Sequence, residues 1–561
     1  MSAAARESIA SPPFAPGRWD KREMLGVAIL LAAFIAAGLV FIRPYLTGAD
    51  QVSYISIAQK YARGEFGQAV NGYWSPLFSW LLAPLLLSGL EPVAAFKVLT
   101  LLASAFLLFG VHLLSRRFGL RPMWRLISLA AFAPALFFCF NLIDNGPDIL
   151  VAGLIAFYLS VVFDPGYPGR RYSGLWAGLL GGLAFLAKSY ALLFILGHIV
   201  IFHLYLFLTS ARGKERKQVV GRALAGLAVF LCLSGGWLAA VSLKYRKPMF
   251  GSTSRIIWYL VSPNSRGPSG HPMMMGGLHP PPNPSAVSAW EDPAAHISLY
   301  TEWSPFRSGR DLRFWLWRKV PLNASDALKV FVGFSPLAPV ILLAGLVLAF
   351  FPRRHRILFL SWPTLLFYVS GYVALFVIER YMIIGLVLTV LMGGYLLDRL
   401  SRVRFRAVRA LIPILTAAYL AGFFILPIQY SSLFREGRKR FIVTPGFTDV
   451  AVYRLGRTLR FRTGIPAGAK IASNGNYSPA LFLAYYLGLK YYGLMPLNSG
   501  PEGSRAELDR FDIDFVFFWS QDKPKDHWLT SCREITRGKT RPLWVYWLKD
   551  KSRPPETGLK P

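Results

Sequence analysis

The segment Met24–Arg43, with the sequence MLGVAILLAAFIAAGLVFIR, decides the class of this protein. It carries no charged residue before Arg43, and a helix of about 20 apolar residues is long enough to cross a bilayer. The whole chain is 54% hydrophobic and has a mean hydropathy of +0.41, which is more apolar than a typical soluble domain. The sequence therefore predicts a protein that crosses the membrane several times.

Further apolar stretches repeat along the chain up to about residue 427. Each has the composition of a membrane-crossing helix. The fold class predicted from them is a polytopic α-helical membrane protein with about eleven transmembrane helices. The predicted spans are 24–43, 91–115, 123–142, 147–163, 173–187, 190–209, 220–243, 326–350, 357–377, 381–398 and 408–427.

The basic residues predict the orientation of these spans. The chain has 62 Lys and Arg against 29 Asp and Glu, which gives a formal net charge of +33. In a soluble protein this excess would indicate nucleic acid, but much of it lies in short loops at 116–125, 212–222, 353–356 and 399–409. Short cytoplasmic loops are enriched in Lys and Arg, so we predict no nucleic-acid partner and place these loops in the cytoplasm.

With the basic loops inside, the rest of the topology follows for a multi-pass protein of the inner (plasma) membrane. Residues 1–23 form a cytoplasmic N-terminal tail, and 24–427 form the transmembrane domain. Long loops at 44–90 and 244–325 emerge on the extracytoplasmic side. Everything after residue 428 lies on that side too.

The first outer loop begins with Asp50, a carboxylate placed directly after the first span. Val52, Ile55, Ala58 and Ala62 follow at three-to-four spacing, which predicts an amphipathic helix lying on the membrane surface. A carboxylate at this rim is hard to explain by packing, so Asp50 is the first candidate functional residue.

The second outer loop and the C-terminal segment have different compositions. The loop 244–325 is rich in Pro and Gly and carries several aromatic residues, which is typical of a lid or binding loop; its His271 and His279 are interpreted as surface histidines. In 428–561, strands at 470–473, 490–494 and 515–519 alternate with helices at 479–487 and 502–510. This order predicts a small extracytoplasmic α/β domain.

Charged residues at the ends of predicted spans are further candidates, because such groups are costly near a bilayer and are usually functional. Lys188 falls at the break between two apolar helices, where a snorkelling lysine is the alternative. Glu379 and Arg380 lie between two spans, where a structural ion pair is the alternative. Asp148 begins a span, where a carboxylate also suits the helix dipole.

These motifs together resemble the GT-C superfamily of membrane glycosyltransferases, and most closely its bacterial branch related to protein O-mannosyltransferases and the lipid A aminoarabinose transferase. The resemblance covers most of the chain and rests on the order of the motifs. Two positions depart from the pattern: Gln51 stands where a second acid is familiar, and Ser189 replaces the usual glycine. The matching segments are Asp50 with Tyr54…Ala58, Pro147-Asp148-Ile149-Leu150, Gly178 to Lys188, Arg380-Tyr381, and Ala484-Tyr485-Tyr486-Leu487-Gly488…Tyr491-Tyr492.

The resemblance implies transfer of a sugar from a polyprenyl-phosphate donor to an acceptor on the extracytoplasmic face. The expected partners are this lipid-linked sugar, membrane lipid, and an envelope acceptor that is a lipid, a glycan or a protein. Two alternatives stay open. One is a glycan polymerase or ligase that uses diphosphate-linked oligosaccharides, and the other is a transporter of lipid-linked sugars.

The residues can be assigned to the steps of such a transfer. Asp50 is predicted to act as the base for the acceptor hydroxyl in an inverting displacement. Lys188 and Arg380 are predicted to hold the donor phosphate, a role that suits an ammonium and a guanidinium group. No cofactor and no metal ligands are predicted, with a divalent ion between Asp50 and the phosphate as the alternative. The supporting candidates are Tyr54, Asp148, Glu379 and Tyr381.

Overall fold

The computed structural model describes residues 20–138, 145–210, 213–263, 265, 270–275, 277–430, 449–496, 500–524 and 528–549. Most of the predicted cytoplasmic tail (1–19) and the first part of the predicted C-terminal domain after residue 430 (431–448) lie outside this description. The chain divides into two compact units. The helical unit comprises the described residues within Met1–Ile42, Lys97–Ala239 and Ser308–Gly437, and the mixed unit those within Arg43–Phe96, Ala240–Arg307 and Arg438–Pro561.

The helical unit contains the apolar helices that the sequence predicts. The helix Ile383–Leu400 lies at its centre, with every residue from Ile383 to Tyr395 buried. Around it lie Lys21–Phe41, Pro122–Phe138, Gly146–Val162, Ser173–Ala187, Ala191–Thr209, Gly309–Phe314, Val320–Phe334, Ala338–Ala349, Arg356–Val373, Arg406–Tyr430 and most of Pro92–Arg117 and Lys214–Tyr245.

Several of these helices are long and apolar enough to cross a membrane. Six described helices meet that condition singly, and a bent pair raises the number to seven. Shorter apolar helices, among them Gly146–Val162 and Ser173–Ala187, accompany them. The protein is therefore a multi-pass membrane protein, and the count of about eleven spans stays a prediction.

The predicted span 326–350 is wrong as a single helix. Val320–Phe334 and Ala338–Ala349 are separate helices, and the pair is bent by 107°. The break falls at Ser335, whose backbone is extended. Because Pro336 disfavours helical geometry in the residue before it, the first helix ends there.

Close helix packing in this unit depends on small residues. Gly174 and Gly178 lie one turn apart on Ser173–Ala187, where a side chain at either position would collide with the backbone of Arg222 or Gly226 on the helix Lys214–Tyr245. Small residues four apart are the usual means by which membrane helices bring their backbones together. This packing fixes the end of Ser173–Ala187, from which Lys188 projects.

The mixed unit combines helices, short turns and a sheet. Its strands are β1 (Lys470–Ser473), β2 (Lys490–Leu494), β3 (Phe515–Trp519), β4 (Arg533–Glu534) and β5 (Leu543–Trp547), in the order β2-β1-β3-β5-β4. Its α-helices are Ala49–Ala62, Phe66–Ala69, Leu77–Leu87, Thr253–Val261, Asp449–Arg462, Tyr477–Leu487 and Gly500–Arg510.

The sheet confirms the small α/β fold predicted for the C-terminal segment. β1 pairs in parallel with both β2 and β3, while β5 pairs antiparallel with β3 and β4. The long loop joins the sheet directly, since Ser288 bridges to Tyr491 and the Tyr491 N–H donates to the Val287 carbonyl. Segments far apart in sequence thus form one body, and the loop residues near 290 are tied to it.

The helix Ala49–Ala62 is not the membrane-surface helix that its apolar spacing predicted. Every residue from Gln51 to Ala58 is buried within the mixed unit. The polar members of this stretch are accommodated by hydrogen bonds, as when Ser53 Oγ donates to the Trp290 carbonyl. A helix with short polar side chains can be enclosed on all sides when partners of this kind meet it.

Candidate functional site

The helical unit holds a cluster of charges where two of its helices begin and end. Gly146–Val162 carries Asp148 in its first turn, while Lys188 caps the C-terminus of Ser173–Ala187 in an extended conformation. These two helices pack closely against each other, and the Lys188 Nζ contacts Asp148 Oδ1. The lysine at the helix break and the carboxylate at the helix start are therefore brought together.

Arg380 completes this cluster from a third part of the chain. It lies in the turn Glu379–Tyr381, with its Nε 3.7 Å from Asp148 Oδ2 and its Nη1 donating to Asn145 Oδ1 at 3.1 Å. Asp148 thus faces two cations. We name Asp148, Lys188 and Arg380 the basic cluster.

Aromatic rings support the basic cluster from one side. The Lys188 Nζ lies 4.1 Å from the centroid of the Tyr381 ring, a cation–π distance. Tyr381 stacks on Tyr372, and Tyr372 stacks on Tyr190, with centroids 5.0 and 3.8 Å apart. The Tyr368 hydroxyl donates to the Tyr381 carbonyl at 2.9 Å, so the ring beneath Lys188 is held in place.

Exposure separates the members of the basic cluster. The Asp148 side chain is 8% exposed, whereas those of Lys188 and Arg380 are 22% and 31% exposed. The acid is therefore enclosed while both cations are open on one side. Such a pair can accept an external anion, and a guanidinium beside an ammonium suits the oxygens of a phosphate.

In the mixed unit, Asp50 is half-buried in the first turn of Ala49–Ala62. Its Oδ1 accepts a hydrogen bond of 3.1 Å from the Trp290 Nε1–H. The indole donor and the helix N-terminus both stabilise a carboxylate at this position. An ionised carboxylate has only acceptor atoms and can take up a proton.

The ring of Trp290 is itself packed between aromatic groups. His271 stacks on it with centroids 3.5 Å apart, and the Tyr477 ring lies 5.2 Å from that of His271. Burial raises the pKa of Tyr477, and the charge of Asp50 raises it further. His271 is buried, so its interpretation as a surface histidine is wrong: the Pro-rich loop folds it under Trp290.

Side-chain hydrogen bonds to its carbonyl groups hold the segment Ser288–Asp292 against the helix Ala49–Ala62 and against residues 71–74. The Trp290 carbonyl accepts from Trp74 Nε1 at 3.0 Å and from Ser53 Oγ at 3.3 Å. The Glu291 carbonyl accepts from Asn71 Nδ2 at 2.6 Å. We name Ser288–Asp292 the clamp segment.

Ion pairs hold the same segment through its two acidic side chains. Glu291 contacts Lys60 of Ala49–Ala62, and the two side chains are 3% and 0% exposed. Asp292 lies 3.0 Å from Lys244 Nζ. Burial lowers the pKa of Lys60 to about 7, with a smaller contribution from the charge of Lys244.

Two supporting candidates lie apart from these clusters. Tyr54 is buried, and its ring packs on Trp74 and Phe78 with centroids 5.0 and 5.7 Å away. Glu379 is exposed at the start of the turn that carries Arg380. Their assignment as site residues stays a prediction.

Sequence reasoning missed Trp290, Lys60 and Glu291. Trp290 is one of several aromatic residues in the Pro-rich loop, and its position there does not distinguish it. Lys60 lies outside the apolar spacing of its helix and belongs to no recognised motif. The one signal is the run Trp290-Glu291-Asp292, an aromatic residue followed by two acids in an otherwise Pro-rich loop. Across the described residues, no three His, Cys, Asp or Glu side chains are grouped so as to hold a metal ion.

The fold and these clusters define a multi-pass membrane protein with a basic cluster in its helical unit and a half-buried carboxylate in its mixed unit. No protein-family model matches the chain, and no curated protein matches its sequence. Solved structures with a similar fold do match it.

ArnT from Cupriavidus metallidurans bound to undecaprenyl phosphate aligns with 94% of this chain and 99% of its own length, at a TM-score of 0.56 and 14% identity. In the apo state it aligns with 97% of this chain and 98% of its own length, at 0.53 and 14%. The archaeal oligosaccharyltransferase AglB from Archaeoglobus fulgidus, in complex with an inhibitory peptide and a dolichol-phosphate, covers 89% of this chain over 69% of its own length, at 0.53 and 12%. The chain therefore has the fold of ArnT and AglB, which agrees with the fold implied by its resemblance to the GT-C glycosyltransferases.

Proposed function

We propose that this protein is a membrane glycosyltransferase that moves a sugar from a polyprenyl-phosphate donor to an acceptor at the extracytoplasmic face. The observation that carries the proposal is the basic cluster, in which two partly exposed cations face one buried carboxylate. It occurs in a fold shared with ArnT, a protein solved with undecaprenyl phosphate bound, and with AglB, solved with a dolichol-phosphate.

Lys188 and Arg380 are proposed to hold the phosphate of the donor. During the transfer the bond between the anomeric carbon and the phosphate oxygen breaks, and the phosphate leaves with the bonding electrons. Negative charge grows on that oxygen, where fixed cations stabilise it more than they stabilise the intact donor. Asp148 orients both cations, and Tyr381 supports the ammonium group of Lys188.

Asp50 is proposed to be the base. The acceptor hydroxyl oxygen attacks the anomeric carbon from the side opposite the phosphate, so the centre inverts. The acceptor proton passes to the Asp50 carboxylate, which also accepts the hydrogen bond from Trp290. General-base help of this kind contributes roughly 10²–10⁴-fold to rate.

The test uses purified protein in lipid nanodiscs with labelled polyprenyl-monophosphate sugars and envelope extract as acceptor. We expect wild type to release free polyprenyl phosphate and Asp50→Asn to release it roughly 10²–10⁴-fold more slowly. Asp326→Asn is the matched control, because Asp326 forms an exposed pair with Lys329 and should keep full activity.

Other outcomes of this experiment would indicate a different base or one of the alternative functions. Equal release by wild type and Asp50→Asn would overturn the role of Asp50. Release only from diphosphate-linked oligosaccharides would identify a polymerase or ligase. Binding of a lipid-linked sugar without cleavage of any donor would identify a transporter.

A further inference from the structure

We propose that Trp290 is a positioning residue for the transfer reaction, and that its indole N–H holds the Asp50 carboxylate in the orientation in which it accepts the acceptor proton. This inference rests on the proposed function, because it takes Asp50 to be the base. It starts from the hydrogen bond of 3.1 Å between Trp290 Nε1 and Asp50 Oδ1. The bond joins residues 240 positions apart in the chain.

A neutral donor is the appropriate partner for a base. A lysine or arginine would lower the proton affinity of the carboxylate strongly, since an opposite charge favours its ionised form. An indole N–H donates one hydrogen bond and has no acceptor atom. It therefore orients the Oδ1 oxygen of Asp50 with a smaller loss of basicity than a cation at the same position would cause.

The donor can orient Asp50 only if it is itself fixed, and the clamp segment provides this. Trp290 is 3% exposed, and its carbonyl accepts hydrogen bonds from Ser53 and Trp74. Ser53 lies one turn along the same helix from Asp50. The backbone of Trp290 and its indole therefore both bind to the helix that carries the base.

Contacts to Glu291 and to the indole ring also hold Trp290 in place. The Glu291 carbonyl accepts from Asn71, and its side chain pairs with the buried Lys60. The His271 ring stacks on the indole with centroids 3.5 Å apart and an interplanar angle of 20°. Rotation of the ring would break this stack, so the direction of the N–H is determined by packing as well as by the hydrogen bond.

This arrangement gives the long loop a catalytic role that its composition did not show. The composition of the loop predicts a lid or binding loop. In this proposal its residue Trp290 instead orients the base, Asp50. Precise placement of a general base is part of its contribution to rate, because small displacements lower the fraction of productive encounters.

The experiment is a double-mutant cycle on the nanodisc-embedded full chain. Trp290→Phe removes the N–H and keeps a ring against His271. We expect kcat to fall about ten- to one-hundred-fold, as for the loss of a hydrogen bond to a charged group, while the KM for the polyprenyl-phosphate donor stays unchanged. In the Asp50→Asn background, measured in single turnover, the same change should lower the rate by less than about twofold, because residues that act as a unit are not additive.

A control variant separates the loss of this particular N–H from the loss of any indole N–H. Trp544→Phe removes another indole N–H, which donates to the Ser520 carbonyl in the sheet, and should leave kcat unchanged. An unchanged kcat in Trp290→Phe, or an equal loss in both backgrounds, would overturn the positioning role alone. Full activity of Asp50→Asn would overturn the proposed base.

A second variant keeps the inference testable if Trp290→Phe does not fold. His271→Leu retains the indole N–H and removes the stack that fixes the ring. It should lower kcat without changing the KM for the donor, and it should show the same loss of effect when Asp50 is replaced. An effect that multiplies with Asp50→Asn would contradict the inference.

Discussion

Two lysine–carboxylate pairs, one in each unit, have the same chemistry and different exposure. In the mixed unit Lys60 and Glu291 are 0% and 3% exposed. In the helical unit Lys188 and Asp148 are 22% and 8% exposed, and Arg380 stands beside them at 31%. The first pair is closed on all sides, whereas the second is open on the side of its cations.

The difference in exposure predicts a difference in function. If one member of a buried ion pair turned to another partner, the other member would remain as an unpaired charge in a low-dielectric interior. A buried pair therefore serves as an anchor for the two segments that it joins. An open pair can turn its cations toward a second anion at much smaller cost. Lys60–Glu291 therefore suits the clamp segment, and the basic cluster suits a phosphate.

The largest expected effect is on stability, at the closed pair. Lys60→Met should lower the free energy of unfolding by about 3–5 kcal/mol, because Glu291 then keeps a buried charge without its cation. The double variant Lys60→Met/Glu291→Leu should recover most of this loss, since apolar residues of similar volume replace the whole pair. Thermal unfolding in detergent gives the stability of the wild type, of Lys60→Met and of the double variant.

The double variant is also the control for this prediction. A loss that persists in Lys60→Met/Glu291→Leu would mean that packing around position 60, not the uncompensated carboxylate, causes the effect. In that case the comparison between a closed and an open pair would fail.

A smaller effect of a different kind is expected at the open pair. Lys188→Met should weaken binding of polyprenyl phosphate about ten- to one-hundred-fold, the range for one hydrogen bond to a charged group. Stability should fall by less than about 1 kcal/mol, because a partly exposed ion pair contributes little. Binding to the lipid phosphate in nanodiscs and thermal unfolding give the two numbers.

Lys329→Met is the matched control for Lys188. Lys329 also pairs with an aspartate, Asp326, but its side chain is 69% exposed. We expect neither phosphate binding nor stability to change there. Unchanged phosphate binding in Lys188→Met, or an equal loss in both variants, would contradict the assignment of the basic cluster.

The sequence predicted the helical unit better than the mixed unit, for a physical reason. Membrane-crossing helices are dictated by local apolar composition, so every predicted span but one overlaps a single helix among the described residues. Residues 139–142 of the predicted span 123–142 lie outside the described residues. The exception, 326–350, breaks at Ser335. Spacing within Ala49–Ala62 could not show that the helix is enclosed, because part of its cover comes from residues more than 200 positions later in the chain.

The candidate site divides in the same way. Asp148, Lys188 and Arg380 were each visible as charges at the ends of apolar helices, where such groups stand out. Their contact with one another was not visible, because it depends on how two helices and the turn Glu379–Tyr381 pack together. Trp290 and His271 could not be selected from a Pro-rich loop, since nothing in the spacing of that loop fixes its path.

The smallest expected effect is a dependence of stability on pH, and it distinguishes the two members of the closed pair. The pKa of Lys60 is lowered by burial to about 7 from its usual value of 10.5. Between these values the unfolded chain holds a proton that the folded chain has largely lost, so the free energy of unfolding rises with pH. Lys60 can therefore become neutral cheaply, and Glu291→Gln should cost less stability than Lys60→Met.

Glu291→Gln should also show the steepest rise in unfolding temperature between pH 7 and pH 9, because the carboxylate that helped to hold the Lys60 proton is gone. The slope from one group is at most about 1.4 kcal/mol per pH unit. Lys60→Met/Glu291→Leu lacks the titrating group and should show no contribution of this kind. Parallel pH profiles for Glu291→Gln and the double variant would mean that Lys60 keeps its proton in the folded protein, and the closed pair would then hold its charge as firmly as the open one.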